Sequence, residues 1–291
     1  MQFFPLAQPV RLLETRAGFS GCTVPGLPIS AGGTLTISTQ GSCTNIPGNA
    51  QAVTGNITTV QSGGGYLTLY PSNSAQPLVA NSNYAPNEIV NNVFTVGLGG
   101  DGAFKIFALN TTDVVVDITG YYAPPSATGL YFHPLPKPIR LLETRAGQSG
   151  CFTPGTPLQA GSITAQLGQT TCGGVVIPDD AQALVGNATT VNPAGSGAQF
   201  LTLFPADATR PLVASSNYLS GQVMNAPFTV GLSPTGEFKI YPTSQTELVI
   251  DVLGYYSTEA NDVNGAGLLF TPLDRPVRLL ETRAGQPIGC F

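Results

Sequence analysis

The chain has 291 residues, enough for two domains of ordinary size that each bury a core. Only 9 % of them are charged, against roughly 25 % in typical soluble domains, and the net charge is −5 with no cluster of Lys or Arg. That balance excludes a phosphate-binding surface and with it nucleic acid as a partner, and no run of eighteen apolar residues is present to span a bilayer.

An eight-residue run, Arg-Leu-Leu-Glu-Thr-Arg-Ala-Gly, occurs three times unchanged, at Arg11–Gly18, Arg140–Gly147 and Arg278–Gly285. The starts lie 129 and 138 residues apart, which makes the chain a tandem array of domain-sized units. The expected division is a first repeat over 1–122, a linker over 123–128, a second repeat over 129–256, a linker over 257–266 and the start of a third repeat over 267–291. Met1 to Pro5 lacks the basic region and apolar core of a signal peptide. Both ends read as cuts in a longer array, or as a mature chain without its leader.

In chain order, Phe4–Arg11 answers Phe132–Arg140 and Phe270–Arg278, leaving His133, the single histidine, without a counterpart in the first copy. Cys22 and Cys43 are 21 residues apart, as are Cys151 and Cys172. The equal spacing predicts one disulfide per unit and therefore an oxidising compartment. Cys290 begins a third pair and is expected to be orphaned by truncation or joined to another chain. Ala52–Val60 then pairs with Ala183–Val191, and both carry N-x-T sequons, at Asn56 and Asn187. Asn110 starts a third sequon, and glycans on exposed loops are an open alternative to plain Thr-rich strands.

The middle of each unit reads Leu-Thr-Leu-aromatic-Pro, at Leu67–Pro71 and Leu201–Pro205, with a strand's period of two. Gly97–Gly102 contains G-x-G-x-x-G, but a strand follows it and the second copy is Gly231–Gly236 without the pattern, so a hairpin turn is expected. Each unit closes on an apolar strand with one acid, Asp117 or Asp251, followed by Gly-Tyr-Tyr. No segment has helical apolar spacing over three turns, and Pro or Gly recurs about every ten residues. Seven to nine short strands in roughly 125 residues predict all-β architecture: tandem β-sandwiches, Ig-like or jelly-roll-like, with a barrel as the alternative.

Strict alternation puts Glu14 and Arg16 on one strand face and Arg11 with Thr15 on the other, so the motif alone forms no cluster. An acid inside an apolar strand needs a cationic partner. The expectation is that Asp117 meets Arg11 or Arg16 and that Asp251 meets Arg140 or Arg145, with Glu14 and Glu143 in the same structural networks.

One histidine does not support repeated Ser-His-Asp or Cys-His chemistry, so no catalytic residues, cofactor or metal site are expected. His133 is expected at the domain boundary. Asp179-Asp180, which occurs once, reads as a surface turn rather than a calcium site.

The signatures P-x-R-L-L-E-T-R, L-T-L-[YF]-P and V-x-D-x-x-G-Y-Y, in that order over essentially the whole chain, resemble the repeat modules of large secreted bacterial cell-surface proteins. The resemblance implies an extracellular, modular all-β protein and brings no catalytic residues with it. The functional expectation is a non-enzymatic structural component of an extracellular filament or cell-surface fibre, its units self-associating head to tail. The alternative is an adhesin or carbohydrate-binding module that takes surface glycans on exposed Tyr84, Tyr122, Tyr218 and Tyr256.

Overall fold

A computed structural model of the chain describes residues 1–60, 62–279 and 282. Among them there is no helix. Eight strands make the first module: β1 (Gln2–Glu14), β2 (Thr34–Ser38), β3 (Ala52–Val60), β4 (Gly63–Pro71), β5 (Ser82–Pro86), β6 (Val90–Gly97), β7 (Ala103–Ala108) and β8 (Asp113–Ala123). They form two antiparallel four-stranded sheets in the orders β1-β8-β3-β6 and β2-β7-β4-β5. The core between them is built from alternate residues, such as Leu67 and Leu69 of β4 and Phe104 and Ile106 of the adjacent β7, all solvent-inaccessible.

The second module repeats the plan with β9 (Tyr131–Glu143), β10 (Thr164–Leu167), β11 (Thr170–Cys172), β12 (Val175–Ile177), β13 (Ala183–Val191), β14 (Ala198–Pro205), β15 (Ser216–Leu219), β16 (Val223–Gly231), β17 (Glu237–Pro242) and β18 (Glu247–Ser257). Its sheets run β9-β18-β13-β16 and β10-β17-β14-β15, with β11-β12 as an added hairpin. First strand beside last, and second beside second-last, is the jelly-roll order, and neither module closes into a barrel. Cys22–Cys43 and Cys151–Cys172 are disulfides, with Cα atoms 5.7 and 5.6 Å apart, bonds that form and persist in an oxidising environment. Cys290 and most of the third motif copy lie outside the described residues.

Two local expectations change, and one segment gains detail. Gly97–Gly102 is not a hairpin turn: β6 pairs with β3 and β7 with β2 and β4, so this turn is an arch carrying the chain from one sheet to the other. The linker segment 257–266 has structure of its own. It contains the hairpin of β19 (Asn261–Asp262) and β20 (Gly265–Ala266), and Asn264 donates from Nδ2 to Val176 O at 2.8 Å. The equivalence of Phe4 and Phe132 is off by one residue. Phe3 faces Tyr122 as Phe132 faces Tyr256, and Phe4 faces Tyr121 as His133 faces Tyr255.

His133 therefore has a counterpart in Phe4, and both rings stack on a tyrosine, at 5.1 Å for Phe4 and 5.2 Å for His133. His133 is buried where the second module meets the segment leading to the third repeat, in keeping with a place at the boundary, its Nε2 2.8 Å from Glu259 O and its Nδ1 3.2 Å from Asp262.

Candidate functional site at the joint between modules

The repeated charges are brought together by a β-bulge. In β1 the register jumps from Arg11↔Asp117 to Leu13↔Val116, leaving Leu12 unpaired, and in β9 Leu141 is skipped in the same way. The extra residue reverses the alternation, so Arg11 and Glu14 share a face and both Leu12 and Leu13 are buried. This corrects the expectation that the motif alone forms no cluster. Arg11 reaches Asp117 at 2.9 Å and Glu14 at 3.5 Å, while Arg16 grips Glu14 at 2.8 Å. In the second module Arg140 reaches Asp251 at 3.0 Å and Glu143 at 3.3 Å, and Arg145 reaches Glu143 at 2.7 Å. The hydrogen bond donated by Arg145 holds Glu143 below the usual carboxylate range, and the one Arg16 donates to Glu14 raises Arg16.

The two aspartates do not have the same surroundings. Asp117 Oδ2 also accepts from the backbone N–H of Ala214, in the other module, at 3.2 Å. Beside it Asn56 donates from Nδ2 to Ala214 O at 3.2 Å, so one residue of the second module is held by both its backbone groups. Burial pushes the Asp117 carboxyl up, opposed by the Arg11 hydrogen bond and charge and by the Ala214 N–H. Asp251 has no such neighbour, and its side chain is 32 % exposed against 2 % for Asp117.

Ala214 belongs to a strap, Pro211–Ser215, fixed by the central signature. Thr202 Oγ1 donates to Val213 O at 2.8 Å, and Leu203 N–H donates to Ser215 Oγ at 2.9 Å. In the first module Thr68 donates to Val79 O at 2.6 Å and Leu69 N–H to Asn81 Oδ1 at 2.8 Å. The Thr of L-T-L thus faces away from the core and holds a strap, which in the second module is the segment bound by the first.

The closing signature supplies the second half of the joint. Tyr122 and Tyr256 hydroxyls lie 2.9 Å apart, with the Phe3 ring 4.3 Å from Tyr256 and 5.3 Å from Tyr122. Burial pushes both hydroxyls above the ordinary tyrosine range. The glycine before the two tyrosines makes room for the phenylalanine: a Cβ on Gly120 would stand 2.3 Å from the Phe3 ring, and one on Gly254 2.5 Å from Phe132.

Two groups of sequence-derived sites change in consequence. Tyr84, Tyr122, Tyr218 and Tyr256 are all buried, so none offers a face to a sugar. Asn56 is buried and its amide is spent on Ala214, so this position is not an exposed glycan acceptor. Asn187 is half-exposed on the open face of the second module, and half-buried Asn110 donates to Gly64 O at 2.6 Å. Asp179 and Asp180 border a cleft of about 480 Å³ between the modules, and among the described residues no three His, Cys, Asp or Glu side chains gather as a metal site. The joint itself is hidden in the sequence, where the recurrence of the three signatures is the available sign.

The sequence matches no protein-family model and no curated protein. Among solved structures, the N-terminal CBM22-1-CBM22-2 tandem domain of Xyn10C from Paenibacillus barcinonensis is similar at 9 % identity and a TM-score of 0.21, over 79 % of this chain and 84 % of that one.

Proposed function

We propose that this chain is a non-enzymatic architectural protein of an extracellular or cell-surface fibre, built from jelly-roll modules. One observation carries the reading: all three repeated signatures are used to lock modules to themselves and to one another. Arg11 orients Asp117, Asp117 holds Ala214, Thr202 holds the strap that presents Ala214, and Tyr122 meets Tyr256. A surface selected to bind a ligand would keep polar and aromatic groups open to solvent, whereas here those groups are spent inside the joint.

Two disulfides and few charged side chains suit a protein that persists outside the cell. Negative-stain imaging of the purified protein tests the proposal. Regular threads are the expected result. Isolated particles at every concentration, together with retention on a glycan array, would replace it with the adhesin reading.

A further inference from the structure

Backbone bridges between the modules recur in a cyclic order. Phe3 of the first module exchanges hydrogen bonds with Leu130 at the start of the second, at 3.0 and 2.8 Å. Phe132 of the second exchanges them with Leu268 at the start of the third repeat, at 3.0 and 2.8 Å. Phe270 of the third repeat donates to Met1 O at 3.0 Å, and the Met1 amino group donates to Phe270 O at 2.8 Å. Met1, Leu130 and Leu268 each stand two residues before the equivalent phenylalanine, so the third bridge returns to the first module.

Side-chain contacts follow the same rotation. Gly231 of the second module faces Pro5 of the first, and Gly97 of the first faces Pro272 of the third repeat, each at 3.9 Å from an ideal Cβ. Phe3 stands 4.3 Å from Tyr256, and Phe270 stands 4.4 Å from Tyr122. The axis thus gathers three phenylalanines but only two tyrosines, around a cavity of about 170 Å³ lined by Met1, Phe3, Tyr122, Phe132, Tyr256 and Phe270.

Both halves of the joint are also present in open form. On the first module's sheet Thr54, Asn56 and Thr58 are buried, with Asn56 bonded to the strap of the second module, while the matching Val185, Asn187 and Thr189 are half-exposed. Val213 is buried against the first module, while its counterpart Val79 is half-exposed and Ala80 is exposed.

We propose that the sheet face around Asn187 and Asp251, together with the strap at Val79–Asn83, is the seat of a third β-module of this same kind, entered through residues 268–278, so that three modules close a ring about the aromatic axis. A head-to-tail contact whose rotation closes gives a ring and not an open filament. Any thread must then grow through a surface other than this joint. From the fibre reading the proposal takes only that the partner is another such module.

Cys290-Phe291 matches Cys151-Phe152 in sequence, so a copy of residues 153–256 appended after Phe291 supplies a whole third module to the full chain. Hydrogen exchange and small-angle scattering of this extended chain read the result. The expected outcome is slower exchange, by tenfold or more, at Val79–Asn83 and Val185–Thr189, with scattering of a compact three-lobed particle. Unchanged exchange at both segments with scattering of three domains in line would overturn the ring.

Should the appended module not fold, the unextended chain still decides. The Phe270 amide is expected to exchange slowly and to become fast when Met1 and Gln2 are removed; a fast amide in the intact chain refutes closure. Images of rings without threads would uphold this proposal while removing the fibre.

Discussion

Asp117 of the first module accepts a hydrogen bond from the backbone of Ala214 in the second, while the equivalent Asp251 stands open to solvent. The same motif therefore has two energetic settings within one chain. Removing a buried partner strands the other charge and costs about 3 kcal/mol or more, whereas an exposed pair contributes under about 1 kcal/mol. Asp117→Ala should lower stability by about 3 kcal/mol in urea unfolding and Asp251→Ala by less than about 1 kcal/mol. Equal losses would show that the contact with Ala214 contributes nothing.

The hydroxyl pair at the axis gives a second test. Tyr122→Phe leaves the buried Tyr256 hydroxyl without its partner and should cost about 1–3 kcal/mol, whereas the double change to Phe removes both groups and should recover most of that loss. The pH dependence follows from the raised hydroxyls. Burial lifts both above the ordinary tyrosine range in the folded protein, so their contribution is complete below that range and lost as pH rises through the folded values. Unfolding midpoints measured in alkaline buffers should fall more steeply for the wild type than for the double variant.

Much of the module was legible beforehand, because alternation, turn residues and cysteine spacing are local signals. The ion pairs Arg11–Asp117 and Arg140–Asp251 were legible as well, since an acid in an apolar strand demands a cation. What alternation missed was the bulge at Leu12 and Leu141, where one skipped residue reverses the faces of everything after it. The buried tyrosines failed for another reason. Tyr122 and Tyr256 stand at the ends of strands that are themselves apolar, and only the neighbouring module reveals that their far side is covered.

Glycine in the closing signature is explained by the ring beside it, and this too is measurable. Gly120→Ala places a Cβ 2.3 Å from the Phe3 ring, which must move off the axis, so a loss of about 1–3 kcal/mol is expected in thermal unfolding. Gly100→Ala is the control, because its Cβ would meet nothing within 4 Å. A near-neutral Gly120→Ala would mean that Phe3 has room to shift without cost.

The disulfides should act on their own modules. Each closes a loop between cysteines 21 apart, for which chain entropy gives about 3 kcal/mol. The paired change Cys22→Ser and Cys43→Ser should therefore lower the first module's calorimetric transition, with the second module's own bridge intact. Reductant adds a kinetic distinction, since Cys43 is exposed while Cys151 and Cys172 are both half-buried. Thiolate attack depends on access to sulfur, so the first bridge should open before the second when free thiols are followed over time in dithiothreitol. Simultaneous opening would indicate that the modules unfold as one unit before either bond is reached, and the calorimetric trace of the serine variant would then show a single shifted transition.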